Sequence, residues 1–339
     1  MTEPTTRDRP VLSPWLQGQL TSLLERRGHA WLLQGPSGLG QYTLGLELAR
    51  AWLCEAPTKQ GACYQCRSCH AVDVRTHADL ATLMPETLAI ELNWPLDEKT
   101  QKDLDDKKRK PSKEIRVEAA RDMVAFSQQT RSGGSTKVVF VYPAERMNHV
   151  TANTILKTLE EPPGECRFVL ASEAAHQLLP TIRSRCQTHT MVWPTEAEAL
   201  NWLPGQGVPA ADAAVLLRAA GGRPEDALGL ANAGLKASIW AGLPKAVLRG
   251  DVGAVSDATP SQAIAMLQKL CHDLLAVRTG GAPRFFLSPD LPVAGTTASL
   301  TEWSKDLMQS ARTSEHPYNA GLMFEALIAR AQTALRAKD

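Results

Sequence analysis

No stretch of 18 consecutive apolar residues occurs in the chain, so no membrane-spanning helix is expected. The first 14 residues lack the apolar segment of a signal peptide, so export is not expected and a cytoplasmic setting is. Neither sign of charge is in excess: 37 Lys and Arg stand against 36 Asp and Glu, a formal net charge of +1. A protein that grips nucleic acid alone usually carries a basic surplus. Any DNA contact is therefore expected to be weak, local or shared with partners. No internal repeat is visible. What remains is an ordinary globular composition, 43% hydrophobic and 22% charged over 339 residues, enough for two or three domains.

A more specific absence lies in a glycine loop. Gly35-Pro36-Ser37-Gly38-Leu39-Gly40 has the G-x-x-x-x-G frame of a phosphate-binding loop, but Gln41 and Tyr42 follow where Lys and Ser or Thr belong. The lysine meets the β- and γ-phosphates and the hydroxyl holds Mg²⁺. Gln is neutral, and Tyr is a bulky phenol in the place of a small hydroxyl. The loop sits between an expected strand, Ala30 to Gln34, and an expected helix carrying Leu44, Leu48, Trp52 and Leu53, which is the context the motif needs. A second absence agrees with the first. The apolar strand Lys137 to Tyr142 runs into Pro143, where ATPases of this layout place acidic residues for Mg²⁺ and water; Glu145 lies three residues past Tyr142. A nucleotide-binding architecture without productive ATP binding is expected, although the backbone amides of the loop could still cradle an anion.

Strands alternate with helices through the first part of the chain. Leu16, Leu20, Leu23 and Leu24 mark a first helix, with Gly28 as its stop. Asp79 to Leu83 reads as a strand broken by Pro85, Ile115 to Gln128 as a helix presenting Ile115, Ala119, Met123 and Phe126, Asn148 to Glu161 as a helix stopped by Pro162-Pro163, and Arg167 to Ala171 as a buried strand. The pattern predicts a doubly wound α/β parallel sheet with helices on both faces. Residues 97–114, dense in both charge signs, read as an exposed, mobile insertion. From about Pro194 helical patterns take over. Ala211–Ala220 and Pro224–Ala233 flank Gly221-Gly222, and stripes follow at Ile264, Leu267, Cys271, Leu274, Leu275 and at Phe324, Leu327, Ile328, Ala331, Leu335. An all-α C-terminal part is predicted.

Four of the seven cysteines crowd together as Cys54-x₈-Cys63-x₂-Cys66-x₂-Cys69. In a cytosolic chain such crowding favours a metal over disulfides, and four thiolates make a closed tetrahedral Zn²⁺ set with no position for catalytic water. Four free thiols are the plainer alternative, and His70 is a possible substitute ligand. Further on, Ser184-Arg185-Cys186 follows Leu178 to Arg183. An arginine at a domain edge can stabilise transition-state charge in a neighbour's nucleotide site. The tripeptide alone does not distinguish that role from a surface arginine in a solvated ion pair.

Asn153-Thr154-Ile155-Leu156-Lys157-Thr158-Leu159-Glu160-Glu161-Pro162-Pro163, followed by Ile182-Arg183-Ser184-Arg185-Cys186, resembles the clamp-loader branch of the AAA+ ATPases. The cysteine insertion after the loop helix is similar to that of the bacterial DNA polymerase III clamp-loader subunits. The resemblance covers about Pro14 to Ala233, and beyond that only length and helical character match. It implies an AAA+ core over 1–193 with a zinc insertion at 54–69 and the charged insertion at about 97–114, a helical lid at 194–240, and an α-helical collar at 241–339 that assembles a hetero-pentamer. It implies one structural Zn²⁺ on Cys54, Cys63, Cys66 and Cys69, and Arg185, with Ser184 and Cys186 as its motif, as the trans arginine finger. Implied partners are motor (gamma/tau) subunits and a delta subunit, with the sliding clamp and primed DNA reached through the complex, near the nucleoid. Motor members carry Lys and Thr in the loop, acidic residues after the strand and an arginine in the lid; here stand Gln41, Tyr42, Tyr142, Pro143 and, in Gly222-Arg223-Pro224-Glu225-Asp226-Ala227, Glu225. The expectation is a non-hydrolysing subunit. The alternatives are an active AAA+ ATPase with a divergent loop and a zinc-containing nucleic-acid adaptor.

Overall fold

The computed structural model describes residues 12–132, 136–313 and 319–337, and the chain divides into two compact units, residues 1–194 and 195–339. The first unit runs α1 (Pro14–Leu24), β1 (Ala30–Gln34), α2 (Gln41–Leu53), α3 (Arg67–Asp73), β2 (Leu80–Leu83), α4 (Glu86–Glu91), α5 (Glu98–Asp105), α6 (Val117–Gln128), β3 (Lys137–Val141), α7 (His149–Glu160), β4 (Cys166–Ser172), α8 (Pro180–Arg183) and β5 (Gln187–Thr190). The strands form one parallel sheet in the order β2-β3-β4-β1-β5. β3 is buried along its whole length, as an apolar central strand covered on both faces must be.

Alternation along the strands divides the core. Leu32, Val139, Val141, Phe168 and Leu170 pack with Ala120 and Met123 of α6 and Ile155 and Leu159 of α7. The intervening residues face α2, which approaches so closely that a Cβ on Gly45 would lie 2.5 Å from Cε2 of Phe140 and 3.3 Å from Cγ1 of Val169. The absence of a side chain at Gly45 thus sets how near the loop helix lies to the sheet.

Four local expectations change. α1 ends at Leu24 and Glu25 caps it, so Gly28 does not stop the helix. Gly28 is instead a point of close approach, where a Cβ would sit 2.7 Å from Gln187 Nε2. Ile115 precedes α6 and bridges to Met147, so the buried face of α6 is Ala120, Met123 and Ser127 rather than Ala119 and Phe126. Strand β5, of sequence QTHT, was not expected; only His189 in it is buried, because it closes the sheet edge beside β1. Finally, 97–114 is not an open loop. Asp97 caps α5 through the N–H of Thr100, and Arg109 pairs with the buried Glu86, which also accepts from Ser112 N at 2.8 Å and pairs with Arg116 at 3.0 Å. The mixed charge that suggested a solvated loop is in part an ion-pair tie to α4.

Among the described residues of the second unit the α-helices are α9 (Glu196–Gly205), α10 (Ala210–Ala219), α11 (Pro224–Asn232), α12 (Ala237–Arg249), α13 (Pro260–Arg278), α14 (Thr297–Thr313) and α15 (Ala320–Arg336), and no strand occurs. Gly221 and Gly222 both take positive φ and turn α10 into α11. One cluster packs α9 to α11 around Leu203, Leu216 and Ala227; a larger one packs α12 to α15 around Trp240, Leu267, Leu300 and Ile328. The 280–292 loop is anchored by fully buried Asp273 of α13, which accepts from the backbone N–H groups of Arg284, Phe285 and Phe286 at 2.7–2.9 Å. Phe286 then stacks on Trp240 with ring centroids 4.6 Å apart. No helix of the described residues is long and apolar enough to cross a membrane.

Candidate functional site

The glycine loop joins β1 to α2 as its frame requires. Gly38 and Gly40 have φ of 76° and 86°, in the left-handed region, and Gly40 caps α2. The side chain of Gln41 turns back into the loop. Its Nε2 donates to the carbonyls of Gly35 at 2.9 Å and Pro36 at 2.7 Å, and the residue is 2% exposed. A neutral amide thus joins the two ends of the loop, in the position from which a lysine would project its charge.

Tyr42 is fixed elsewhere. Its ring lies 5.7 Å from that of Phe140 and 5.3 Å from that of Tyr142, and its hydroxyl accepts from Trp94 Nε1 at 2.8 Å. Tyr142 stands at the end of β3, where a metal-holding carboxylate would be needed, and donates its own hydroxyl to Glu173 at 2.8 Å. Glu145, the nearest acid along the chain, lies in a short 3₁₀ turn and accepts from Glu173 N at 3.1 Å. Tyr42, Phe140 and Tyr142 thus form an aromatic cluster between the start of α2 and the end of β3.

The four cysteines converge. The Sγ atoms of Cys54, Cys63, Cys66 and Cys69 all lie within 4.8 Å of one another, with 3.9 Å between Cys54 and Cys66 and 4.0 Å between Cys63 and Cys69. Tetrahedral Zn²⁺ with Zn–S of about 2.3 Å needs sulfurs about 3.8 Å apart, so the cluster fits a four-thiolate ion. Backbone N–H groups point at three of the sulfurs: Cys63 N at Cys54, Gln65 N at Cys63, and Cys69 N at Cys66. Burial opposes ionisation of Cys63, but the N–H groups of Gln65 and Cys66, together with the Cys54 and Cys66 side chains, bring the thiol down to about 6. Burial pushes the Cys69 thiol up, a cost that a cation among the sulfurs would offset. His70 is exposed on α3 and is outside the cluster.

Behind the cysteines lies a buried network not foreseen from sequence. Arg50 of α2 donates to the carbonyl of Cys69 at 3.3 Å, pairs with Glu47 at 3.1 Å and with Asp73 of α3, and Tyr64 donates to Glu47 at 2.6 Å. Glu47 and Arg50 are 4% and 3% exposed. The available signal was a charged pair at i, i+3 beside Leu44 and Leu48, on the face α2 had to bury.

Ser184 and Arg185 follow α8. Arg185 is folded against its own chain: Nε and Nη2 each reach Glu160 Oε2 at 2.9 Å, and Nη1 donates to the carbonyl of Thr181 at 3.0 Å. Ser184 donates to the same carbonyl at 3.2 Å. Burial pushes the Cys186 thiol up to about 12, which marks it as a packing residue rather than a nucleophile. In the second unit, Glu225 opens α11 next to Arg223, which pairs with Asp226 at 2.7 Å.

A parallel sheet with a glycine loop after β1, helices on both faces and a following helical part is an α/β fold of the AAA+ type. Residues 16–193 match the family described as DNA polymerase III, delta subunit, and the chain belongs to that family. Several curated relatives are subunits delta′ of DNA polymerase III, and one is a gamma subunit, from Buchnera aphidicola subsp. Schizaphis graminum. That of Pseudomonas aeruginosa is 36% identical over 229 residues, 66% of this chain and 62% of the relative. That of Escherichia coli K12 is 34% identical over 224 residues, 64% and 60%. That of Yersinia pestis is 29% identical over 279 residues, 78% and 72%. The matched part spans about three-fifths of the length of the first two relatives.

Proposed function

We propose that the chain is a delta′-like, non-hydrolysing subunit of a DNA polymerase III clamp loader. The observation that carries this reading is Gln41, whose amide bridges the ends of the phosphate loop where a lysine charge is required. Tyr42 and Tyr142 support it, since their rings and hydroxyls are committed to one another, to Trp94 and to Glu173. Under this reading the chain contributes shape and one arginine to a machine whose nucleotide chemistry resides in gamma/tau motor subunits. With a delta subunit they would make a hetero-pentamer in the cytoplasm that places a sliding clamp on primed DNA.

Within the chain, 1–193 would serve as core, 194–240 as lid and 241–339 as the collar through which the pentamer assembles, although the second boundary falls inside α12, whose Trp240 packs with α13 to α15. Cys54, Cys63, Cys66 and Cys69 would hold one structural Zn²⁺, a closed set that fastens the 54–69 excursion and takes no part in chemistry. Arg185 would be the finger offered to ATP on the adjacent motor subunit, where such an arginine contributes roughly 10³–10⁵-fold to hydrolysis. The test is Arg185→Ala in the reconstituted complex. Assembly should persist while ATP hydrolysis falls by the share of the site that this chain serves. Unchanged hydrolysis and clamp loading would remove the finger role.

A further inference from the structure

Glu160 belongs to the Asn153–Pro163 stretch that carries the family resemblance. It is the last residue of α7, and its carboxylate takes both Nε and Nη2 of Arg185 on one oxygen, Oε2, at 2.9 Å. The third contact of the guanidinium, Nη1 to the Thr181 carbonyl, is also internal. Arg185 is therefore not projected freely from α8. It lies against the carboxylate end of a helix, where the dipole of α7 adds to the attraction for a cation. The pair is partly open to water, with side-chain exposures of 30% for Arg185 and 56% for Glu160. Such a pair is weak enough to exchange one anion for another.

We infer that Glu160 is a positioning residue that holds Arg185 in a parked state within its own chain and yields it when a neighbour presents a polyphosphate. The inference rests on the proposed role of Arg185 as a finger. The chemistry is competition. A guanidinium that gives two donors to one carboxylate oxygen can transfer them to a nucleoside triphosphate, whose γ-phosphate carries more charge and more acceptor oxygens. Parking lowers the fraction of complexes whose arginine is engaged, and the rate of the site served by Arg185 falls by that fraction. Glu160 would thus keep hydrolysis low in a complex that has not yet closed around its cargo.

The test uses the reconstituted clamp-loader complex without clamp or DNA and reads ATP hydrolysis. Glu160→Gln keeps the side-chain shape and removes the charge, and Glu161→Gln is the control, since Glu161 is exposed and adjacent. Glu160→Gln should raise turnover at the site Arg185 serves about two- to fivefold, the range set by a partly exposed ion pair, and the basal rate of the complex by that site's share, while Glu161→Gln leaves it unchanged. The gain should vanish in the Glu160→Gln/Arg185→Ala double variant, which should match Arg185→Ala alone. A merely structural role for Glu160 would lower the rate or leave it unmoved, and either result overturns the inference. If Arg185→Ala lowers hydrolysis but Glu160→Gln does not raise it, parking alone fails. If Arg185→Ala has no effect, the finger reading fails as well. Gel filtration and zinc content of each variant confirm that it is folded and assembled.

Discussion

Single residues decide what the phosphate loop can do. Gln41 donates to the carbonyls of Gly35 and Pro36, so its amide is committed within the loop. Arg50 has a comparable weight in the cysteine excursion. Breaking a buried pair by removing one partner leaves an uncompensated charge and typically costs about 3–5 kcal/mol. Arg50→Met, which strands buried Glu47 and frees Asp73 and the Cys69 carbonyl, should destabilise the first unit by about that much and weaken zinc retention. Chemical denaturation with metal analysis of the same samples checks both. In the second unit Lys269 donates to the Ala219 carbonyl at 2.7 Å, and burial, with Arg223 nearby, pulls its ammonium from 10.5 to about 8. Below pH 8 both folded and unfolded chains carry this proton. Between about 8 and 10.5 the unfolded chain holds more of it, so this group's contribution to stability rises with pH, by at most about 1.4 kcal/mol per unit. Urea unfolding of wild type and Lys269→Met across that window should show wild type gaining relative to the variant; a flat difference would contradict the assignment.

At the scale of elements, legibility followed burial. β1, β3 and β4 stood out because strands covered on both faces need apolar runs, and α7 because Asn148 caps it and Pro162-Pro163 follows it. β5 was hidden because an edge strand with one buried residue, His189, has no such run. The order of 97–114 was hidden because it depends on one long-range pair, Arg109 with Glu86, 23 positions apart. The same holds for Arg185 and Glu160, 25 positions apart, whereas the cysteines were legible because all four fall within a short segment. That segment has little regular structure of its own. Cys66 caps the seven-residue α3, and the three cysteines Cys54, Cys63 and Cys69 complete the set from α2's end, the intervening turn and α3. An element so small needs a fastening other than a core. Metal analysis of purified protein should give one Zn per chain, and chelation under reducing conditions should unfold 54–73 while the sheet persists, as hydrogen exchange would record. A zinc-free protein with four freely reactive thiols and an unchanged 54–73 would argue against the metal.

Across the whole molecule the two units present different kinds of evidence. The first, residues 1–194, carries the family match, the loop, the cysteines and Arg185. The second, 195–339, has helices and no strand among its described residues and carries no cluster of metal-ligating groups among them. A subunit that lends an arginine while keeping its own loop closed would be a fixed part of a moving assembly, with the nucleotide cycle run by its neighbours. Under the proposed reading, Tyr142 and Pro143 would deny β3 the same chemistry that Gln41 and Tyr42 would deny the loop, and two independent losses would weigh more than one. The most direct measurement is an equilibrium titration of the isolated chain with labelled ATP and Mg²⁺. The account predicts no saturable binding at submillimolar ATP and no dependence on Mg²⁺. Tight, Mg²⁺-dependent binding would contradict it and make the chain an ATPase with a divergent loop.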